Sequence, residues 1–252
     1  MRGCVCMLLP NNLVWSRLNQ SLPLLRKNFL SKYPTDLVIF HERGFSSENV
    51  RKIRNEIPNT IFREIKFKIH ESAIHFEPLW SKDWLLEKCL SYGGMCTFFA
   101  VDIFEEMTAM GYDYYMRLDD DSYLHSAFDE NPFEKLHREN KVYGYCLKIK
   151  EAPHVIQGLF EFIQKNSEVV GEYQFCPPYW IYYNNFEIVD VKKYREKTFD
   201  INRKIHDSGG IYFWRWGDAP IRTILLSIHF TPDQIHEFNI SYEHAEHSRQ
   251  KA

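Results

Sequence analysis

Three consecutive carboxylates, Asp119, Asp120 and Asp121, follow the strand-like segment Tyr112–Leu118, in which Arg117 stands two residues before Asp119. Packed carboxylates repel one another and need a counter-charge, which a divalent cation supplies. A strand over Tyr112–Leu118 would put the triplet at its carboxyl end, where open α/β sheets bind ligands. Oxygen ligands favour Mg2+ or Mn2+, and a nearby imidazole shifts the choice toward Mn2+. Such a cation would bridge diphosphate oxygens of a nucleotide sugar and stabilise the leaving group. The plain alternative is a solvated acidic turn.

A second candidate is Glu187, in the segment Tyr183-Asn184-Asn185-Phe186-Glu187-Ile188. A lone carboxylate among Tyr, Phe and Ile is costly to bury, so it is either paired or functional. A sugar transfer with retention needs an oxygen on the β-face of the anomeric carbon, and Glu187 could provide it. The alternative is a salt bridge to a nearby Arg or Lys. A third segment runs Gly209-Gly210-Ile211-Tyr212-Phe213-Trp214-Arg215-Trp216-Gly217-Asp218-Ala219-Pro220. Asp218 lies at a helix start, as an N-cap or at a helix N-terminus near phosphate or an acceptor hydroxyl. Arg215, between two tryptophans, could pair with phosphate or with Glu187. The tail offers His236, Glu243, His244 and His247. One of these histidines could fold back onto a metal, although tail histidines are usually just solvated.

Positioning these groups requires a sheet. Cys4–Leu9, Asp36–His41 and Thr60–Ile65 read as buried strands. Between them, Trp15, Leu18, Leu22, Leu25 and Phe29 form a helical stripe interrupted by Pro23. Ser46 or Ser47 caps a helix with Val50, Ile53 and Ile57 on one face. This alternation predicts a parallel sheet with helices on its faces. Residues 66–92 look irregular, and Gly93–Met110 is helical by pattern. Asn131, Pro132 and Glu134 give the start signature of another helix. Lys141–Ile149 reads as a strand, Val155–Lys165 as a helix, and Ser167–Asn184 as an irregular loop. Asn185–Val189 is a short strand. Gly209 and Gly210 stop a short helix. The last long helix runs from Asp218 through Ile228, Ile235–Phe238 is a final strand, and a polar tail follows.

At 252 residues the chain fits one large α/β domain that needs no disulfide staple. A net charge of −3 argues against a nucleic-acid partner. Six cysteines without a CxxC pair read as buried thiols, and one or two disulfides are the alternative. The run Cys4–Leu9 is shorter than the core of a secretion signal, and no stretch approaches the length of a membrane span. The chain is expected to be soluble (cytoplasmic) as it stands, unless an anchor was lost upstream.

The order YDYYMRLDDDS, KVYGYCLKI, YYNNFEIVD, SGGIYFWRWGDAP, ISYEH resembles glycosyltransferase family 15, the fungal-type α-1,2-mannosyltransferases with a GT-A fold. The resemblance covers essentially the whole chain, and NFEI together with RWGDAP at this spacing is specific. It implies retaining transfer of mannose from GDP-mannose to a glycan or glycoprotein acceptor, with Mn2+. It also implies a lumenal Golgi setting at the membrane if an anchor precedes the chain. The family's Glu-Pro-Asp falls on Asp119, Asp120 and Asp121, so Asp119 and Asp121 take the acidic metal positions. Glu187 matches the candidate nucleophile and Asp218 a carboxylate supporting catalysis or the acceptor. A Gly-Tyr-His-His segment whose second His binds metal falls on Ser241-Tyr242-Glu243-His244. His244 is therefore the expected ligand, with His247 as the fallback.

Three departures stand out. The acidic segment is Asp-Asp-Asp, Thr97 follows Met95-Cys96 where the family has Arg, and the loop before NFEI is shorter. The expectation is one GT-A catalytic domain over 1–252, with 1–125 binding the nucleotide and 126–252 the acceptor. Asp119, Arg117 and Arg215 would contact the donor. Asp119, Asp121 and His244 would hold the metal. Glu187 and Asp218 would act on the sugar, with Glu187 as nucleophile or ion-pair stabiliser. The alternatives are a GT-A enzyme using a UDP-sugar and an inactive sugar-binding relative; a phosphotransferase would leave NFEI and RWGDAP unexplained.

Overall fold

The computed structural model describes residues 1–71, 86–167, 179–245 and 247–250, with backbone only for 86–89. Its centre is a seven-stranded sheet of β1 (Gly3–Leu9), β2 (Asp36–Glu42), β3 (Ile61–Ile65), β4 (Tyr114–Leu118), β6 (Tyr143–Tyr145), β9 (Phe186–Asp190) and β10 (Ile235–Glu237). The spatial order is β10-β6-β9-β4-β1-β2-β3. Strands β1 to β4 pair in parallel, as do β6 and β10, while β9 runs antiparallel to both β4 and β6. One reversed strand thus lies inside an otherwise parallel sheet.

The pleat sorts the core. Cys4, Cys6, Val38 and Phe40 belong to the core on one face, and Val5, Met7, Leu37 and Ile39 to that on the other. The second face is covered by α1 (Trp15–Leu25) and α2 (Ser47–Glu56), through Leu18, Leu22, Leu25 and Ile53. The first face is covered by α3 (Leu86–Thr97), a π-turn over Phe98–Asp102 and α4 (Ile103–Ala109). Next in the chain come α5 (Pro132–Arg138) and α6 (Leu159–Asn166). Of the later helices, α7 (Val191–Asp207) and α9 (Asp218–His229) join the first face, and α8 (Gly210–Phe213) lies between them in the chain.

Local signals that the sequence carries are used as expected. Ser46 caps α2 by accepting from the Asn49 amide at 3.1 Å, and Asn131 caps α5 by accepting from Phe133 at 3.0 Å. Pro23 sits inside α1, which gives way to a π-turn over Arg26–Leu30.

Other elements differ from the sequence pattern. The helix expected from Gly93 already covers Leu86 onward among the described residues, and Gly93 and Gly94 lie inside it as packing points. A Cβ on them would stand 2.5 Å from the Tyr212 ring and 2.7 Å from the Phe67 ring. The strand expected over Lys141–Ile149 breaks in two. Its second part, β7 (Lys148–Lys150), leaves the main sheet to pair with β8 (Trp180–Tyr182). β8 falls in the stretch expected to be a loop, of which 168–178 lies outside the described residues. Gly158, at φ +71°, divides the expected Val155–Lys165 helix, so α6 begins only at Leu159. The short helix expected before Gly209 is the 17-residue α7. The polar tail is structured: β11 (Tyr242–His244) pairs with β5 (Ser122–Leu124) and β12 (His247–Arg249).

Cys4, Cys6, Cys96 and Cys146 are free and buried, and burial raises their thiol pKa well above the usual value. Cys89 and Cys176 lie outside the described side chains. Among the described residues no helix is long and apolar enough to cross a membrane.

Candidate active site

The carboxyl end of β4 delivers the triplet, and the tail closes on it. In the β5–β11 ladder His244 stands opposite Ser122, the residue after Asp121. The His244 Nε2 therefore lies 3.0 Å from Asp121 Oδ1 and 3.7 Å from Asp119 Oδ2. Its Nδ1 lies 2.7 Å from the Tyr183 hydroxyl, and Tyr183 also packs edge-on against His247. Asn185 donates to Asp119 and lies 3.1 Å from His244 Nε2. Arg17 of α1 approaches the open side, 3.3 Å from Asp121 and 3.7 Å from Asp120.

Electrostatics follow from this packing. Burial opposes ionisation of Asp119, but the Arg117 charge and the His244 contact outweigh it and bring its pKa down to about 2. The hydrogen bond from His244 lowers Asp121. Asp120 is raised, first by burial and then by the Asp121 charge. Burial alone would lower His244, yet Asp119 and Asp121 raise it to about 9.

Among the described residues no three His, Cys, Asp or Glu side chains stand in a ready coordination sphere. Here the imidazolium closes directly on the carboxylates and supplies the positive charge itself. The donor set nonetheless fits a divalent ion. Octahedral bonds of about 2.1 Å place neighbouring ligand atoms about 3 Å apart, close to the spacing of His244 and Asp121. Two carboxylates and one imidazole suit Mn2+. Tyr183 at Nδ1 leaves Nε2 facing the aspartates, the outer-shell arrangement that orients a metal-binding histidine.

Behind the triplet the sheet carries two opposite charges side by side, since Arg117 on β4 and Glu187 on β9 are register partners. Arg117 is buried over the Phe99 ring at 3.5 Å. It bonds Asp119 at 3.0 Å and Asp218 at 2.5 Å. Asp218 is the first residue of α9, but the cap position is Gly217. Its carboxylate instead takes Arg117 and, at 2.8 Å, Asn184. Glu187 is fully enclosed. It accepts from the Arg222 guanidinium at 3.0 Å and 3.3 Å and from the Tyr115 hydroxyl at 2.7 Å.

The structure thus brings Asp119, Asp121, His244, Arg117 and Asp218 together, with Glu187 one layer deeper. It does not join Arg215 to Glu187. Arg215 has a left-handed backbone, φ +62°, and contacts His154 at 3.2 Å and the face of Tyr92. Thr97, at the departure from the expected Arg, is buried and bonded to the Tyr212 hydroxyl at 3.4 Å. Sequence reasoning missed Arg222, Tyr183 and Asn185. The spacing Asp218 to Arg222, one helical turn, was the signal that could have found Arg222.

The mostly parallel, helix-flanked sheet is the GT-A-type architecture expected from the sequence. The family described as glycolipid 2-alpha-mannosyltransferase matches residues 1–250, and the chain belongs to it. O-glycoside alpha-1,2-mannosyltransferase homolog 2 of Schizosaccharomyces pombe is 30% identical over 176 residues, 62% of this chain and 46% of that protein. Glycolipid 2-alpha-mannosyltransferase of Saccharomyces cerevisiae is 23% identical over 257 residues, 89% of this chain and 56% of that protein. The chain thus spans about half the length of these relatives. Core-mannan synthase A of Aspergillus fumigatus, solved in a Mn/GDP form, superposes with TM-score 0.84 at 20% identity, over 98% of this chain and 76% of that one. The S. cerevisiae mannosyltransferase Ktr4p, in complex with GDP, gives 0.80 at 18% identity, over 100% and 73%.

Proposed function

We propose that this chain is the catalytic domain of a retaining α-1,2-mannosyltransferase, which moves mannose from GDP-mannose to a glycan acceptor with Mn2+. The observation that carries it is the convergence of Asp119, Asp121 and His244 beyond the carboxyl end of β4, in a member of a mannosyltransferase family. Core-mannan synthase A in its Mn/GDP form and Ktr4p in complex with GDP support a guanine-nucleotide donor, and the former supports the ion.

In this reading Asp119, Asp121 and His244 hold the ion. When bound, it supplies the charge that stabilises the departing diphosphate. Asn185 holds Asp119 in place, and Tyr183 keeps His244 Nε2 directed at the site. Arg117 is committed to Asp119 and Asp218 rather than turned to a phosphate, so its part is to fix both carboxylates. Asp218 faces the acceptor. Residues 1–125 hold the nucleotide and 126–252 shape the acceptor side. Arg215 reaches the donor only if its contact with His154 opens.

The test is transfer from GDP-mannose to methyl α-mannoside, with the product linkage read by NMR. An α-1,2-linked disaccharide formed only with Mn2+ is the expected result. Product from UDP-glucose instead would replace the donor, and donor binding without product would favour an inactive relative. On the family resemblance we propose a Golgi-lumenal setting if an anchor precedes this chain. Imaging of the tagged protein from its natural locus tests that placement, and a diffuse cytosolic signal would refute it.

A further inference from the structure

Helix α9 and the sheet meet through four charges in a crossed square. Asp218 and Arg222 lie one turn apart on the helix, while Arg117 and Glu187 are partners across β4 and β9. Each helix charge takes the opposite charge on the sheet: Asp218 with Arg117 at 2.5 Å, and Arg222 with Glu187 at 3.0 Å. The inner pair is shut off from solvent, with the Arg222 Nη1 left without a hydrogen-bond partner. Arg222 and Glu187 are 1% and 0% exposed. Arg222 also donates to the Phe99 carbonyl at 2.8 Å and to the Tyr115 hydroxyl at 3.1 Å. It lies over the rings of Phe104 and Tyr194, at 4.8 Å and 4.4 Å. Both Glu187 oxygens accept hydrogen bonds inside the core and the side chain has no exposed surface, so in this arrangement neither oxygen is open to a sugar carbon. The outer pair is continuous with the site, because Arg117 also holds Asp119.

We infer that Glu187 and Arg222 are positioning residues: their buried pair seats α9 on the sheet and so sets Asp218, Arg117 and Asp119, and Glu187 is not the nucleophile that the family resemblance implies. This rests on the transferase reading proposed above. With Glu187 locked, retention runs by the same-face route. The acceptor oxygen bonds to the mannose anomeric carbon on the face from which the GDP phosphate oxygen leaves. The carbon–phosphate-oxygen bond breaks, and the acceptor proton passes to the leaving phosphate.

Removing one partner leaves the other charge buried and unpaired, whereas removing both is often tolerated. Glu187→Gln alone is therefore expected to lose activity under either role, and the paired replacement decides. Glu187→Gln with Arg222→Met keeps an acceptor for the Tyr115 hydroxyl and removes both charges. Each single variant is expected to fall about 100-fold or more in kcat, and the double variant to recover to within about tenfold of wild type, with an unchanged KM for GDP-mannose. A double variant that melts like wild type and binds GDP with Mn2+ but transfers nothing would overturn the inference. If the double variant does not fold, intact-mass analysis of the wild-type protein during turnover decides. A mannosyl adduct on Glu187 overturns the proposal, and an unmodified Glu187 while product accumulates upholds it. A wild-type protein without transfer would instead sink the function proposed above.

Discussion

Burial lowers the pKa of His244, yet the two aspartates facing Nε2 hold the imidazolium up to a pKa of about 9. A metal ligand must be neutral, so Mn2+ competes with that proton. Mn2+ affinity should therefore rise with pH, by roughly tenfold per unit between pH 6.5 and 8.5, in calorimetric titrations without nucleotide. His244→Ala should bind weakly and without that slope; a flat profile in the wild type would contradict the assignment. The sign for stability is the reverse. With its folded pKa above the unfolded value near 6.5, His244 stabilises the metal-free fold fully below about pH 6.5, and this contribution is lost as pH rises through about 9. Tyr183→Phe removes the bond to Nδ1 and should cost about 10- to 100-fold in Mn2+ affinity without changing the melting temperature. The triplet and His244 were legible because strand, acid cluster and family motif coincide. Tyr183 was not, since nothing local in the chain ties it to a strand 61 residues later.

Elements were legible where their signals are local. Asn131, Pro132 and Glu134 mark α5 because a cap needs only its own first turn. Asn131→Ala should cost about 1 kcal/mol in denaturant unfolding and leave Mn2+ binding unchanged. Elements that depend on distant partners were hidden. β8 exists because β7 lies beside it, and β11 because β5 does. The glycines are a related case. Gly93 and Gly94 read as a helix start but serve ring contacts inside α3, and Gly210 lies under Trp216. A Cβ at Gly210 would stand 2.1 Å from that indole, whose Nε1 is held by the Gln157 carbonyl at 2.7 Å. Gly210→Ala should therefore destabilise the protein by about 1–3 kcal/mol, read by thermal unfolding. A stability equal to wild type would mean that the indole moves freely.

At the scale of the whole molecule, the parallel strands of the seven-stranded sheet and its reversed strand β9 place Arg117 beside Glu187, while the tail returns His244 to the end of β4. The parallel sheet was readable from the alternation of buried strands and amphipathic helices. The reversal of β9 was not, because strand direction depends on how the chain returns rather than on composition. Donor specificity belongs to this scale, since in the proposed reading it draws on Asp119, Asp121 and His244 together with residues 1–125. The most direct test is calorimetric titration of the protein with GDP-mannose, with and without Mn2+, against UDP-glucose and UDP-galactose. Binding of GDP-mannose alone, and only with Mn2+, is the expected result. Binding of a UDP-sugar in its place, or no metal-dependent binding of any donor, would contradict the mannosyltransferase reading.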